Sequence, residues 1–537
     1  MNTSIESRLR RLAQAGQQHL LKGGLKGLEK ESLRITPQGT IATTPHSESL
    51  GSALTHPYIT TDYSEALIEL ITPPFQDPAE TLGFLEDLHR YVYQHLGDEL
   101  LLATSMPCEI EGDASIPIAT YGNSNIGRMK HVYRRGLAWR YGRAMQAIAG
   151  IHFNYSVNEA LWPVLQELEG DRQTLQAYIA DQYFRLIRNV HRHGWLILYL
   201  FGSSPALCRS FFAGREDMTA RFEALDARTL FRPHATSLRM SDIGYRNDSQ
   251  AGLEICFNRL DDYVSSLCRA ISTPYDAYER IGVKVAGDYR QLNTNILQIE
   301  NEYYSPIRPK QIAQSCEKPT LALKRRGIRY VELRSVDLGC AHPVGIDLEG
   351  LRFLEVFMLY CLLEDSPPFQ GHDRKTYAGN SLTVACCGRT PGFSLWRGNG
   401  QMLLRDWARE IADGMTAIAA ALDQGVAAQA YTSSLARLEH AIRDPDATPS
   451  AKVLDELRQG RESFGEYGVR VSSEHARSLK SRALSPERAE EFARQSAQSL
   501  QEQAQIEASD TLSFEEFLRR YFEQACQPLP AESRAVG

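Results

Sequence analysis

The sequence predicts an α+β fold with a mainly antiparallel sheet, followed by a helical C-terminal region. Between Leu28 and about Thr390, short stretches with strand-like alternation lie among helical stretches in no regular βαβ order, which is typical of α+β proteins. From about Gly400 onward, the chain is rich in Ala, Leu, Glu, Arg and Gln with helical periodicity.

The predicted elements follow one another along the chain. Residues 1–25 predict a helix. Five later stretches predict strands because apolar and polar residues alternate in them: E-K-E-S-L-R-I (29–35), E-A-L-I-E-L-I (65–71), G-I-H-F-N-Y-S (150–156), L-N-T-N-I-L-Q-I (292–299) and R-Y-V-E-L-R-S-V (329–336). Residues 443–450 contain Pro and Asp and predict a loop.

The composition narrows the class of protein. The 537 residues include 59 Lys and Arg against 66 Asp and Glu, and the net charge of −7 argues against a protein whose main role is to bind nucleic acid or an anionic membrane. With 43% hydrophobic and 23% charged residues, the chain is typical of globular proteins and not of collagen or disordered chains. The sequence has no run of 18 apolar residues and no apolar signal segment, so we expect a cytoplasmic protein without membrane spans.

Carboxylates inside the strand patterns are the most informative feature. Glu29 and Glu31 are two residues apart, so a strand projects both side chains from one face and turns Lys30 and Ser32 to the other. Two like charges are therefore brought close together.

Two further strands carry carboxylates in the same way. The alternation groups Glu65 with Glu69 on one face, and it places Glu332 opposite Val331 and Leu333. His152 lies on the polar face of a third strand. Taken singly, each polar face is explained by contact with solvent, and His152 by a hydrogen-bonded place in the core.

If these strands belong to one sheet, their polar faces form a common acidic concavity. Such charges repel and raise one another's pKa unless cations neutralise them. Divalent ions with oxygen ligands fit this need, and Mg²⁺ in particular binds carboxylates together with substrate phosphates. His152 is an unusual ligand for Mg²⁺ but an ordinary one for Mn²⁺.

Phosphate binding also requires positive charge. Arg239, Arg308 and Arg334 are candidates because arginine pairs in a bidentate way with carboxylates and phosphates, although each alone is explained as a structural or surface residue. The sequence has no G-x-x-x-x-G-K-[ST] motif, so nucleotide phosphates would be held by metals and arginines rather than by a P-loop.

One helical stretch presents an amphipathic face. Tyr133, Leu137 and Tyr141 are spaced at i, i+4 and i+8, which places them on one side of a helix. Tyr245 and Tyr304 stand beside turn-forming residues and could close a small pocket with that face. Core packing explains the same spacing, and periodicity alone does not decide between the two.

Seven motifs, taken together, resemble one family. They are similar to those of the proteobacterial type of glutamate-cysteine ligase and occur in this order: G-L-E-K-E-S-L-R, T-T-D-Y-S-E-A-L-I-E-L-I-T-P, S-M-P-C, Y-G-N-S-N-I-G, G-I-H-F-N-Y-S, L-Q-I-E-N-E-Y-Y-S-P-I-R-P-K and Y-V-E-L-R-S-V-D. The resemblance runs from about residue 20 to 390 and weakens in the C-terminal region.

The resemblance implies a glutamine-synthetase-like fold, in which a curved, mainly antiparallel sheet with flanking helices forms the floor of a funnel-shaped site. We therefore expect a catalytic domain over residues 1–395, a helical region over 396–527 packed on it, and a frayed tail over 528–537.

The resemblance also implies roles at the matching positions. It implies metal ligands at Glu29, Glu31, Asp62, Glu69, His152 and Glu332. It implies a cysteine pocket at Tyr133, Leu137, Gln146, Tyr245 and Tyr304. It further implies that Arg239 holds the cysteine carboxylate and that Arg334 and Glu332 are catalytic, with Arg334 facing the transferred phosphate. For the second strand the two arguments differ, since alternation favours Glu65 and does not select Asp62.

The implied reaction joins the γ-carboxylate of L-glutamate to the amine of L-cysteine through γ-glutamyl phosphate, with ATP as co-substrate. The expected cofactor is Mg²⁺, with Mn²⁺ as the alternative, and glutathione is the expected feedback inhibitor. No nucleic acid or membrane partner is expected, and a monomer is one state that the sequence leaves open. The competing interpretations are a ligase of the same fold for another amine and a catalytically silent nucleotide or metal sensor.

Overall fold

The structure is a computed structural model, and it describes residues 4–244, 250, 252–425 and 429–524. The helices of this part of the chain are α1 (Ser4–Gln14), α2 (Pro78–Tyr93), α3 (Asn125–Tyr141), α4 (Leu161–Glu169), α5 (Leu175–His193), α6 (Trp195–Phe201), α7 (Leu260–Ser272), α8 (Asp276–Ile281), α9 (Pro319–Arg326), α10 (Leu348–Leu363), α11 (Asp373–Cys387), α12 (Leu404–Asp423), α13 (Ala430–Arg443), α14 (Pro449–Gly460), α15 (Phe464–Lys480), α16 (Pro486–Ser509) and α17 (Phe514–Glu523).

The strands of the described residues are β1 (Leu25–Ile35), β2 (Ile59–Thr61), β3 (Leu67–Ile71), β4 (Leu100–Leu101), β5 (Ile151–Ser156), β6 (Ala206–Cys208), β7 (Glu223–Ala224), β8 (Thr229–Phe231), β9 (Lys284–Val285), β10 (Asp288–Tyr289), β11 (Ile307–Lys310), β12 (Tyr330–Val336), β13 (Ser394–Arg397) and β14 (Gly400–Leu403).

A seven-stranded antiparallel sheet organises the fold. Its strand order is β11-β12-β5-β1-β3-β2, with β4 paired to the end of β1. The prediction of an α+β fold with a mainly antiparallel sheet is confirmed. Four of the five predicted strands lie in this sheet, because their alternation gives each of them one face for the core and one for a polar cavity.

The core lies on one side of this sheet. Leu28 of β1, Phe153 of β5 and Val331 of β12 are fully buried there, and helix α10 is buried along its whole second half. In the middle of that helix, Glu355 pairs with Lys26 of β1 at 2.7 Å and accepts a hydrogen bond from Tyr431 of α13 at 2.7 Å. This buried pair ties the C-terminal helices to the sheet.

Two predictions about elements are wrong. The N-terminal helix ends at Gln14 rather than near residue 25, because Gly16 takes a positive φ of 70° and breaks the helix. Residues 292–299 form no strand: the side chain of Gln298 accepts the backbone N–H of Leu292, so side chains take the place of a partner strand.

The C-terminal region is helical as predicted, from α12 to α17, but it is preceded by the hairpin of β13 and β14. The predicted loop at 443–450 is short, since a helical turn forms at Pro445–Ala447 and α14 begins at Pro449. The tail expected at 528–537 lies outside the described residues. Among the residues described, the structure contains no helix long and apolar enough to cross a membrane.

Lys30 is turned to the core face of β1, as the alternation predicts, and donates a hydrogen bond to Ser32. Burial lowers the pKa of Lys30 from 10.5 to about 7. Because the unfolded chain binds this proton more tightly, stability should rise as the pH increases from 7 to 10.5 and be lost as the pH falls to 7.

We therefore expect Lys30→Met to raise the free energy of unfolding at pH 7 by on the order of 3 kcal/mol and to flatten its rise toward pH 10. Denaturant unfolding at both pH values measures this. Lys26→Met is the matched control, and it should destabilise the protein because it leaves Glu355 buried without its cation. Equal pH dependence in wild type and Lys30→Met would contradict the expectation.

Candidate active site

The register of the sheet brings the acidic side chains together. Glu29 on β1 lies opposite His152 on β5, and Glu31 on β1 lies opposite Glu69 on β3. On the other side of β5, Glu332 of β12 lies opposite Asn154. Residues directly opposite in an antiparallel pair project from the same face, so these side chains converge on one surface.

His152 is at the centre of this cluster. Its Nδ1 lies 3.1 Å from Glu29 Oε2 and 3.9 Å from Glu332 Oε1, and its Nε2 lies 3.6 Å from Glu31 Oε1. Two sets of possible ligand atoms each lie within 4.8 Å of one another: Glu29, His152 and Glu332 form one, and Glu31, Glu69 and His152 form the other.

Asp62 lines the same cavity, although it is in neither of the two ligand sets. It follows β2, and its backbone carbonyl accepts hydrogen bonds from Tyr121 at 2.8 Å and from Arg134. Glu65, which alternation grouped with Glu69, lies elsewhere: its carboxylate accepts the backbone N–H groups of His46 and Thr120 at 2.9 and 2.8 Å. The alternation failed because β3 begins only at Leu67.

Crowded charge shifts the pKa values of the cluster in opposite directions. Burial, followed by the charges of Glu29 and Asp62, holds the pKa of Glu69 well above its usual value. Burial also raises the pKa of Glu332, but the positive charges of Lys310 and Arg334 outweigh it and bring this pKa well below the usual value. Around Glu69, the negative charge of the carboxylates is therefore not neutralised by the neighbouring lysine and arginine side chains.

The cations stand beside Glu332. Arg334 Nη1 lies 3.3 Å from Glu332 Oε2, and Lys310 Nζ lies 3.2 Å from Glu332 Oε1. Arg308 is opposite Glu332 in the register of β11 and β12, and its guanidinium donates to the carbonyl of Asn301 at 2.9 Å. Arg308 thus stabilises the backbone at Asn301 through this hydrogen bond, whereas Arg334 and Lys310 face the carboxylates.

Helix α3 forms the wall opposite the sheet. It begins at Asn125 because the side chain of Ser124 accepts the N–H of Gly127, and it ends at Gly142, which takes a positive φ of 80°. Tyr133, Leu137 and Tyr141 all line the cavity, which decides between the two explanations of their spacing in favour of a shared face toward a pocket.

The cavity between α3 and the sheet has a volume of about 480 Å³. Gln146 and Tyr304 line it together with the carboxylate cluster and Arg334. Tyr245, the remaining residue expected in this wall, lies outside the described residues. One cavity thus contains side chains that can bind a metal ion, the guanidinium of Arg334, and a small wall of aromatic and aliphatic side chains.

Arg239 is buried beside the cavity, close enough to Glu31 and Tyr304 of its lining for its charge to act on both. Its side chain is 1% exposed, its Nη2 donates to the backbone carbonyl of Arg334 at 2.8 Å, and its Nη1 lies 3.8 Å from Asp337. The guanidinium passes over Gly150, whose N–H donates to Glu31 at 2.7 Å. A Cβ added at Gly150 would lie 2.1 Å from Arg239 Nη2, so only glycine leaves room there.

If Arg239 binds the cysteine carboxylate, as the family resemblance implies, Gly150→Ala should displace it and lower kcat/KM for cysteine about 10–100-fold, because small shifts of positioned groups have large effects on catalysis. Steady-state kinetics with cysteine as the varied substrate measure this. Gly379→Ala, on α11 with nothing within 4 Å of the added Cβ, is the matched control. A variant with wild-type kcat/KM would show that the position of Arg239 has no effect on the reaction.

Several cavity residues were missed from the sequence. Lys310 could have been found, since its spacing of two from Arg308 in I-R-P-K places both on one face of β11. Lys130, whose pKa burial lowers to about 8, and Arg134 lie on the cavity side of α3 among many other basic residues, and no local pattern distinguishes them. Tyr521 comes from α17, far from the other cavity residues in sequence.

Known proteins resemble this chain over nearly its whole length. A family model described as glutamate-cysteine ligase matches residues 9–384. The glutamate–cysteine ligase of Alcanivorax borkumensis is 49% identical over 528 residues, covering 96% of this chain and 99% of that protein. That of Azotobacter vinelandii is 48% identical over 524 residues, covering 97% and 98%.

Solved structures of related proteins have the same fold as this chain. The crystal structure of glutamate–cysteine ligase from Francisella tularensis in complex with AMP superposes with a TM-score of 0.87 at 35% identity, covering 93% of this chain and 98% of that one. A bifunctional glutathione synthetase from Pasteurella multocida shares the fold with a TM-score of 0.69 at 24% identity, covering 89% of this chain and 55% of that one.

The predicted fold and activity are confirmed by these matches. The chain belongs to the glutamate-cysteine ligase family, the ATP-dependent enzymes that join the γ-carboxylate of L-glutamate to the amine of L-cysteine in the first step of glutathione biosynthesis.

Proposed function

We propose that the ligation takes place in the cavity between α3 and the sheet, with the carboxylate cluster at the phosphate and the α3 wall at the cysteine. The observation that carries this proposal is the meeting of the cluster, Arg334 and the face of Tyr133 and Leu137 in one cavity. Phosphoryl transfer and amine attack need these groups within reach of one glutamate γ-carboxylate.

The carboxylate cluster would hold divalent cations. The fit is supported by its donor set, since carboxylate oxygens and one imidazole suit Mg²⁺ or Mn²⁺, and by the pKa of Glu69, which burial and neighbouring carboxylates raise when no ion is present. Residues that would hold the ions are Glu29, Glu31, Asp62, Glu69, His152 and Glu332. When bound, the ions supply positive charge that neutralises the phosphates of ATP.

Arg334 and Glu332 are the proposed catalytic pair. A phosphoryl group that moves from ATP to the glutamate γ-carboxylate carries charge on its equatorial oxygens, and a fixed guanidinium lowers the energy of that charge. Glu332 fixes the guanidinium by the ion pair at 3.3 Å, and it also holds Lys310 beside the same position. Both cations are thus in place before substrate arrives.

The second step is attack by the cysteine amine on the γ-carbon of γ-glutamyl phosphate. The new C–N bond forms, the C–O bond to phosphate breaks, and a carboxylate of the site accepts the proton that the nitrogen loses. Arg239, held between Gly150 and Asp337, is proposed to bind the cysteine carboxylate. Tyr133, Leu137, Gln146, Tyr245 and Tyr304 are proposed to surround the thiol and to keep water from the acyl phosphate.

This pocket predicts the order of amine substrates. A small aromatic and aliphatic wall accepts a thiol or a short alkyl group, so 2-aminobutyrate should replace cysteine with a modest loss in kcat/KM. Serine should be worse, because burying its hydroxyl without a partner costs about 1–3 kcal/mol. Leu137→Ala should enlarge the pocket and reduce the ratio of kcat/KM for cysteine to kcat/KM for bulkier amines.

Amine-dependent phosphate release with a panel of amines measures these rankings and also separates this activity from a ligase for another amine. Leu165→Ala is the control, because Leu165 is a buried leucine of α4 away from the cavity. If serine matched cysteine in kcat/KM, or if Leu137→Ala left the ranking unchanged, the assignment of the pocket would be wrong.

The remaining proposals concern conditions and partners. We propose Mg²⁺ as the working ion with Mn²⁺ as a substitute, a cytoplasmic location, and no nucleic acid or membrane partner. Glutathione contains the γ-glutamylcysteinyl product, so it should occupy the glutamate and cysteine subsites and compete with glutamate. We also propose that residues 1–395 form the catalytic domain and that 396–527 pack on it as a helical region.

A further inference from the structure

Helix α17 lies against the wall of the cavity, and in sequence it comes well beyond residue 384, where the family match ends. Its buried residues Phe514, Leu518 and Tyr521 form a separate apolar cluster with Met129 and Val132 of α3 and with Leu292. Arg128 of α3 stacks over the ring of Phe514 at 4.4 Å. The helix that carries Tyr133 and Leu137 of the proposed cysteine pocket therefore packs on α17.

The first turn of α3 is also held from the C-terminal side. The backbone N–H of Asn123 donates to Glu507 of α16 at 2.8 Å, and that of Asn125 donates to Asp510, which follows α16. The side chain of Asn125 donates to the carbonyl of Leu512 at 2.9 Å. The N–H groups at a helix N-terminus lack partners within the helix, and carboxylates placed there are stabilised by the helix dipole.

The C-terminal end of α17 is fixed to the segment just before α9. Lys318 donates to the carbonyls of Phe522 and Gln524 at 3.2 and 3.1 Å, and the side chain of Gln524 donates to the carbonyl of Cys316 at 2.7 Å. Cys316 and Tyr521 line the cavity. Helix α17 thus spans from α3 to the loop at residues 316–319.

We propose that α17 is a positioning element for the cysteine pocket, with Leu518 and Asp510 as positioning residues that hold α3 at its working distance from the sheet. This inference rests on the proposed function, because it takes Tyr133 and Leu137 as the cysteine wall. Tyr133 links the two, since it lines the cavity and also packs against the apolar cluster of α17.

Weaker packing of α17 on α3 should affect the three substrates unequally. Apart from Asp62, which Arg134 of α3 contacts, the proposed metal ligands lie on strands of the sheet together with Arg334 and Lys310, whereas Tyr133 and Leu137 of the proposed amine wall lie on α3. A looser α3 should therefore weaken cysteine binding and amine selectivity, and it should leave the glutamate and ATP sites in place.

The test uses the full chain with Leu518→Ala, which removes packing from the buried cluster. We expect KM for cysteine to rise about fivefold and the preference for cysteine over 2-aminobutyrate to fall, with kcat and the KM values for glutamate and ATP within about twofold. Leu518→Met should restore the wild-type values, because it keeps the volume. Glu523→Gln, an exposed change on the same helix, is the control.

Asp510→Asn provides a second variant in case Leu518→Ala does not fold, since Asp510 is exposed and the change keeps its shape. It should raise KM for cysteine about fivefold in the same selective way, because a charged carboxylate accepts the N–H of Asn125 more strongly than a neutral amide oxygen does. Unchanged cysteine KM and amine ranking in these variants, or an equal rise in all three KM values, would overturn the proposal. If Leu137→Ala also leaves the amine ranking unchanged, the pocket assignment itself fails; if Leu137→Ala alone changes it, only the role of α17 fails.

Discussion

Replacing Glu69 by glutamine is expected to lower turnover at least about 10²-fold while it stabilises the metal-free protein or leaves its stability unchanged. The loss follows because even partners of metal ligands typically contribute 10–100-fold, and Glu69 is a proposed ligand. The stability follows from the pKa of Glu69, which burial and the charges of Glu29 and Asp62 raise. A carboxyl group whose pKa is raised by folding destabilises the folded protein once the pH exceeds the pKa that the group has in the unfolded chain. Glutamine does not ionise, so the variant is free of this destabilisation.

Turnover and denaturant unfolding, both measured on the same preparation, test this expectation. Glu65→Gln is the matched control, since Glu65 is a buried carboxylate four residues away that holds two backbone N–H groups outside the cavity. It should lower stability and keep the turnover of the folded fraction. Near-wild-type turnover in Glu69→Gln would remove Glu69 from the metal site.

Replacing Arg334 by lysine is expected to lower kcat about 10³-fold, since arginines that stabilise a transferring phosphoryl group contribute 10³ to 10⁵. Arg334 Nη1 alone contacts Glu332 at 3.3 Å and His152 at 3.4 Å, so the ammonium of lysine could replace only this end of the planar guanidinium and would leave nothing in place of its other N–H donors. KM for cysteine should change little, because the loss falls on the transition state.

Steady-state kinetics with all three substrates measure the effect of Arg334→Lys. Arg188→Lys is the control, since Arg188 is a buried arginine that donates to backbone carbonyls of Asn258 and Ser366 away from the cavity. This control should lose stability without a specific loss of kcat. A kcat for Arg334→Lys within about tenfold of wild type would contradict the proposed role in phosphoryl transfer.

Much of the site follows from strand and helix periodicity. A period of two places Glu29 and Glu31 on one face, and a helical period places Tyr133, Leu137 and Tyr141 on another. Both patterns work because each element buries one face and leaves the other to the cavity.

Other parts do not follow from local pattern. Asp62 comes between β2 and β3 and is directed by hydrogen bonds to its carbonyl from Tyr121 and Arg134, so its position depends on tertiary structure and was expected only from the family resemblance. Residues 292–299 alternate like a strand, but the side chain of Gln298, within the same stretch, accepts the backbone N–H of Leu292 in place of a partner strand. The contact of Tyr521 with the cavity depends on how α17 packs against α3.

The central claim is that the carboxylate cluster on the sheet is the metal site of the ligase. Anomalous diffraction from crystals of the enzyme with Mn²⁺, ATP and glutamate tests it most directly. We expect manganese peaks coordinated by Glu29, Glu31, Glu69, His152 and Glu332, with Arg334 facing the nucleotide phosphates. Manganese bound only elsewhere, with these side chains free of metal, would contradict it.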